Sequence, residues 1–167
     1  LASQGDAQKV FAFLDNHLDK INQNFSKKLL TFIASIRSKD KNTFANFMEA
    51  ILRFSLLLMA FPRGERMINI NVAIIGLKSV LDSIPKDKIL QQDSELLSLL
   101  GRIKLSLGEA FSERSENRWG DVLVNLEETI KCFEEGFAVF SYENNLDREW
   151  WASCQNKLGN VYCQRSK

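Results

Sequence analysis

Apolar residues recur every three or four positions along most of this 167-residue chain, which is the spacing of one face of an α-helix. The first segment carries the clearest stripe, which comprises Phe11, Leu14, Leu18, Ile21, Phe25, Leu29, Phe32 and Ile36. Such a stripe predicts a single amphipathic helix over about residues 6–37, with Asp6 as its N-cap and with residues 22–24 (Asn-Gln-Asn) as the place for a bend.

Five further helices are predicted over residues 43–60, 66–84, 94–113, 121–142 and 147–164. A polar turn is expected at residues 38–42. Pro62 and Gly64 end the second helix and Pro85 ends the third, because proline cannot continue the hydrogen-bond ladder. No segment alternates with period two over a sustained length, so no strand is predicted. The expected fold is therefore all-α, with about six helices and no sheet.

Two patterns recur inside the chain. Residues 107–114 and 158–165 both have the form L-G-x-x-aromatic-x-x-R, at a separation of 51 residues. Segments that begin at Gly64 and Gly120 both have the form G-x4-N-[IL]-x-x-[AT]-I-x-x-[LF], at a separation of 56 residues. The two patterns alternate along the sequence, as expected for stacked helical hairpins.

The L-G pattern places Gly108 and Gly159 in the middle of predicted helices, where glycine costs about 1 kcal/mol relative to alanine. Such a cost is expected where a neighbouring helix comes too close for a side chain. Ala73 and Thr129, the small residues of the second pattern, are the expected points of that approach.

Leu107-Gly108-x-x-Phe111 and Leu158-Gly159-x-x-Tyr162 resemble the first helix of a tetratricopeptide repeat, and the N-[IL]-x-x-[AT]-I segments resemble its second helix. The amino-acid sequence of these segments, with FPRGERMINI at 61–70, is similar to repeats in cyanobacterial proteins that join tetratricopeptide repeats to a caspase-like CHAT domain. The resemblance implies a right-handed stack of antiparallel helical hairpins. Residues 1–62 would form a helical lead-in hairpin and residues 63–167 the repeats, the last of them incomplete.

The sequence departs from that family in two respects. Separations of 51 and 56 residues exceed the usual length of about 34 residues, and Thr129 and Gly136 replace small alanines of the second helix. A basic and amide set that would clamp a C-terminal carboxylate is also missing, so a ligand of that kind is not predicted.

Composition argues against an enzyme. The chain has one histidine, three cysteines and a formal net charge of +1, so a multi-histidine metal site, a disulfide framework and a nucleic-acid-binding surface are not predicted. His17, the glutamate pairs at 127–128 and 134–135, and Cys154 and Cys163 are all expected to be structural or solvated. The apolar run at 54–61 is too short to cross a membrane. No cofactor or metal is expected, and a cytoplasmic location is predicted.

The predicted function is a protein–protein interaction scaffold that binds a peptide or partner helix in the repeat groove, and the resemblance implies a role as the recognition arm of a larger CHAT protein. In the family's geometry the inner surface draws on first-helix positions, here Arg102, Leu105, Glu109, Asn156, Asn160 and Gln164. Trp150 is added as a surface contact, whereas Trp151 is expected in the core. Two alternatives stay open: self-association through the terminal helices, above all the stripe from Phe11 to Ile36, and, less favoured, small-molecule sensing.

Overall fold

The computed structural model describes residues 4–36, 41–84, 94–139 and 148–165. Seven α-helices and no strand occur in these ranges, which confirms the all-α prediction for the described part of the chain. The helices are α1 Gln4–Asp15, α2 Gln23–Ile36, α3 Lys41–Ala60, α4 Arg66–Ser83, α5 Ser94–Glu116, α6 Val122–Val139 and α7 Arg148–Arg165. Among these described helices, none combines the length and the apolar character that crossing a membrane requires.

The prediction of one long first helix is wrong, because the chain breaks between α1 and α2. His17 leaves the helix and its Nδ1 donates a hydrogen bond to the carbonyl oxygen of Phe13 at 2.8 Å. A single 3₁₀ turn follows at Leu18–Lys20, and the Asn22 side-chain oxygen then accepts the Asn24 backbone N–H at 3.0 Å, at the start of α2. Asp6 lies inside α1 and is not its N-cap.

The other helix ends fall close to their predicted positions. The third predicted helix corresponds to α4, and the last one to α7, within one residue at each end. The fourth continues to Glu116, three residues beyond the expected end. Residues 38–40 of the expected turn, Pro85 and the expected end of the fifth helix at 140–142 lie outside the described residues.

The chain divides into two compact units, Leu1–Ser83 and Ile84–Lys167. In the first unit α1 and α2 pack on α3 and α4. Its core consists of Leu14, Ile21, Leu58, Phe61, Ile68, Val72 and Ala73. The domain boundary expected at residue 62 thus falls inside this unit, between two helices that pack on each other.

The second unit contains α5, α6 and α7. Helices α5 and α6 form an antiparallel hairpin, in which Lys104 pairs with Glu135, and α7 packs on α6. The core between them consists of Leu105, Leu126, Ile130, Phe133, Cys154 and Val161. Both Trp151 and Trp150, the latter expected as a surface contact, are half-buried and pack against it. Trp151 therefore contributes to this core, as expected, with its ring centroid 5.4 Å from that of Phe137.

The two segments of the 56-residue pattern adopt the same local geometry. Gly64 and Gly120 have positive φ angles, +79° and +85°, a conformation that side chains disfavour. Five residues later, Asn69 and Asn125 are both buried, and each side-chain amide donates to the carbonyl of the residue before its glycine, at 2.8 and 3.0 Å. The amide thereby fixes the turn that precedes α4 and α6.

The close helix approach predicted at Gly108 is present, but Thr129 is not the residue that receives it. Thr129 donates its hydroxyl to the Asn125 carbonyl at 2.7 Å. The ring of Phe133 lies against Gly108 instead, so that a Cβ atom there would be 2.3 Å from the ring. An aromatic residue one turn further along α6 fills the notch that the glycine leaves.

Candidate functional site

A groove of about 720 Å³ runs between α5 and α7 in the second unit. Three carboxylates of α5 line one wall, those of Glu109, Glu113 and Glu116. Lys157, Asn160 and Gln164 of α7 line the other wall, and Phe133 and Val161, both buried, lie beneath. The groove therefore combines an apolar floor with polar walls contributed by two helices.

Helical spacing explains both walls. Glu109, Glu113 and Glu116 are four and three residues apart, so their side chains emerge from one face of α5. Lys157, Asn160 and Gln164 are three and four apart on α7. Because Val161 and Cys154 anchor the neighbouring face of α7 in the core, the face with the lysine and the amides turns toward α5.

One ion pair joins the two walls. Lys157 Nζ lies 2.9 Å from Glu109 Oε1, with both side chains more than one-third exposed, so the pair contributes at most about 1 kcal/mol to stability. The Ser112 hydroxyl donates to Glu116 Oε1 at 3.0 Å. With three carboxylates and one ammonium group among its lining residues, the groove carries local negative charge.

Glu109, Asn160 and Gln164 were predicted partner contacts, and the structure brings these three together in the groove. Arg102 and Trp150 were predicted as well. They contact each other, with the guanidinium carbon 5.5 Å from the centre of the indole ring, an arrangement that favours cation–π attraction.

The remaining two predicted contacts lie elsewhere. Leu105 is 2% exposed and forms part of the core, so it supports the groove from within and offers no surface to a partner. Asn156 lies on another face of α7, where it lines a groove together with Phe137 and Gly159.

Sequence reasoning missed Glu113, Glu116 and Lys157. The signal was present, since Glu113 and Glu116 continue the helical face that begins at Glu109. Lys157 precedes Asn160 by three residues on the same face. Extending the face of Glu109 by one and two helical turns, and the face of Asn160 back by one turn, would have found all three.

The cysteines of this unit differ in environment. Cys154 is completely buried, and burial raises the pKa of its thiol to about 11, with Lys157 opposing and Glu109 reinforcing the rise. Its thiol is therefore neutral near pH 7. Cys163 is exposed and lines the groove. In the described ranges no three His, Cys, Asp or Glu side chains are arranged so that they could hold a metal ion.

Comparison with models of protein families, with curated proteins and with solved structures finds no match for this chain.

Proposed function

We propose that this chain is a non-enzymatic scaffold that binds a peptide segment or helix of another protein in the groove between α5 and α7. The observation that supports the proposal is the composition of that groove, with buried Phe133 and Val161 beneath and polar side chains on both walls. Peptide sites use this combination, because apolar contact supplies affinity and a few polar groups fix orientation.

The charge of the groove favours a basic partner. Glu113 and Glu116 extend the acidic wall beyond the Glu109–Lys157 ion pair. A segment that carries lysine or arginine beside an apolar residue would place its charge near those carboxylates and its apolar side chain toward Phe133. Charge complementarity of this kind contributes mainly to specificity and association rate.

The wider architecture is part of the same proposal. The hairpin of α5 and α6, followed by α7, and the shared geometry at Gly64 and Gly120 support a tetratricopeptide-like stack of hairpins. In such a stack each hairpin buries one face on its neighbours and leaves another face open. A role as the recognition arm of a larger caspase-like CHAT protein extends this proposal.

Selection from a random peptide library tests the groove. The 167-residue chain is immobilised and a phage-displayed library is panned against it. We expect the selected peptides to be enriched in lysine or arginine next to an apolar residue, and we expect their affinity to fall as salt rises. The double variant Glu113→Lys/Glu116→Lys should bind the selected peptides at least tenfold more weakly, because it reverses the charge of the acidic wall.

A matched control separates the groove from the overall charge of the protein. Glu127 of α6 and Glu149 of α7 are exposed glutamates that do not line the groove. The double variant Glu127→Lys/Glu149→Lys changes the net charge by the same amount as the groove variant and should leave peptide affinity unchanged. Circular dichroism verifies that each variant is folded. Equal affinity of the selected peptides for the parent chain and the groove variant would refute the proposed site.

Self-association is a second candidate function, and one observation in the first unit favours it. Phe32 and Phe47 are 43% and 36% exposed, and their rings contact each other edge to face at 5.4 Å. Both line an apolar groove of about 450 Å³ between α2 and α3. Light scattering over a concentration series tests this role: a dimer that Phe32→Ser dissociates would support it, and a strict monomer would exclude it.

A further inference from the structure

A second groove lies on another face of α7 from the one described above. It has a volume of about 650 Å³ and is lined by Phe137 of α6 and by Ala152, Gln155, Asn156, Leu158, Gly159 and Tyr162 of α7. Gly159 lies in the middle of α7, and a Cβ atom placed on it would meet no other atom within 4 Å. Among the residues that the structure describes, none covers this face of α7 at Gly159.

The internal repeat identifies the counterpart of this face on α5. Shifting by 51 residues converts Ala152, Gln155, Asn156, Gly159 and Tyr162 into Gly101, Lys104, Leu105, Gly108 and Phe111. On α5 this face is the one that α6 covers.

Two contacts define how α6 covers it. Phe133 packs into the notch at Gly108, and three residues later Gly136 lies beside α5, where a Cβ atom would be 3.4 Å from the Gly101 carbonyl oxygen and from Lys104 Cβ. This face of α5 therefore accommodates an aromatic residue that is followed three positions later by a small residue.

The two faces differ in coverage. Phe111 is 5% exposed, whereas its counterpart Tyr162 is 45% exposed and donates its hydroxyl to Glu134 of α6 at 2.5 Å. A glycine within a helix costs about 1 kcal/mol relative to alanine. At Gly108 the close packing of Phe133 offsets that cost, and at Gly159 no contact with a described residue does so.

We propose that this face of α7, centred on Gly159, docks a helix of a partner protein that carries the α6 pattern, an aromatic residue over Gly159 and a glycine or alanine beside Ala152. The docked helix would continue an interface that already exists, because Phe137 of α6 lines the same groove. The α6 helix of a second copy does not fit, because it buries Phe133 in its own unit, and its counterpart α4 has Leu77 and Val80 at the two positions. Docking of a second copy through the exposed Phe47 and Ala50 of α3 is one outcome of the test below.

The register of the repeat supplies a direct test. Lys167 corresponds to Glu116, the last residue of α5, so the segment 117–139 appended after Lys167 continues the sequence in the register of the α5–α6 hairpin. The appended copy of Phe133 then lies opposite Gly159. We expect amide hydrogen exchange in residues 155–165 to slow by about tenfold or more, which corresponds to a docking free energy of about 1.4 kcal/mol.

Matched variants distinguish docking at Gly159 from a general effect of the extension. Gly159→Leu in the extended chain should abolish the added protection, and so should replacing the appended Phe by Ala. The neighbouring variant Asn160→Leu should retain it, because Asn160 lines the other groove. In the parent chain Gly159→Leu remains folded, since the site has open space.

Three outcomes would overturn the proposal. They are an extension that adds no protection, protection that survives Gly159→Leu, and self-association of the parent chain that Gly159→Leu abolishes. The last outcome would make a second copy the occupant. The Glu113→Lys/Glu116→Lys variant should leave the added protection unchanged, so failure here and failure of the peptide groove are distinguishable.

Discussion

Alanine at each of the two equivalent glycines should change stability in opposite directions. Gly108→Ala and Gly159→Ala both gain about 1 kcal/mol of helix propensity. At Gly108 the new Cβ would lie 2.3 to 3.0 Å from three atoms of the Phe133 ring. That ring is buried in the core, so it cannot move into solvent to relieve the clash.

The magnitude follows from overpacking, which costs about 1–3 kcal/mol in a packed core. Gly108→Ala should therefore range from neutral to about 2 kcal/mol less stable, whereas Gly159→Ala should be stabilised by up to about 1 kcal/mol. Because the propensity gain is common to both variants, the difference between them, about 1–3 kcal/mol, measures the packing of Phe133 alone.

Tryptophan fluorescence during urea unfolding measures this difference in the relevant unit. All three tryptophans of the chain, Trp119, Trp150 and Trp151, belong to the second unit. Adding Phe133→Leu to Gly108→Ala should reduce the difference, because the smaller side chain leaves room for the methyl group. Equal free energies of unfolding for the two alanine variants would refute the reasoning.

Four further expectations concern the same unit. Asn125→Ala removes the buried donor to the carbonyl before Gly120 and should lower the free energy of unfolding by about 1–3 kcal/mol. Asn117→Ala removes only an exposed hydrogen bond to the Glu113 carbonyl and should lower it by less, about 0.5–1 kcal/mol; urea unfolding measures both. Gly120→Ala, at φ +85°, should cost about 1–2 kcal/mol in the same assay. At pH 8, iodoacetamide should modify the exposed Cys163 well before the buried Cys154, as mass spectrometry of digests would reveal. Because the pKa of Cys154 rises from 9.0 to about 11 on folding, its stabilising contribution is complete below pH 9. It should fall by about 2–3 kcal/mol as the pH rises to 11, and Cys154→Ser should remove that part of the pH dependence.

Features that depend on a few neighbouring residues could be predicted from the sequence. The pairing of Gly64 with Gly120 was visible as a spacing, and the structure gives both the same turn because the amide of Asn69 or Asn125 bonds a carbonyl only six residues earlier. The ends of α4 and α7 were likewise predictable, since local turn residues or the helical period determine them.

The apolar stripe of the first segment does not determine whether that segment forms one helix or two. A spacing of three and four residues is compatible with one helix, and it is equally compatible with two helices that present their apolar faces to one core. Leu14 and Ile21 are both buried, although His17 and the 3₁₀ turn separate them. Burial of both side chains in a shared core outweighs the few backbone hydrogen bonds that the break removes.

The predicted contact residues lie on different surfaces for a similar reason. A repeat pattern identifies equivalent positions without saying how each helix is rotated. Leu105 is the clearest case, because its apolar side chain is buried between α5 and its neighbours, while Glu109 one turn later reaches the groove. The rotation is set by α6, whose Phe133 fixes the close approach at Gly108, and that contact joins residues distant in sequence.

Helix α7 is less deeply buried than α6, although both proposed sites lie on it. It has 18 residues, as does α6, yet only Cys154 and Val161 of α7 are buried, against seven residues of α6. Apolar burial supplies most of the stability of a helix in a protein. Local unfolding of α7 should therefore cost less free energy than that of α6, and the amides of α7 should exchange faster. A partner that covers the Gly159 face would add burial to α7 where the chain itself provides little. Asn160 and Gln164 lie on the same helix, so a partner that reduces the motion of α7 would also order one wall of the peptide groove. Binding at either proposed site would then increase the affinity of the other.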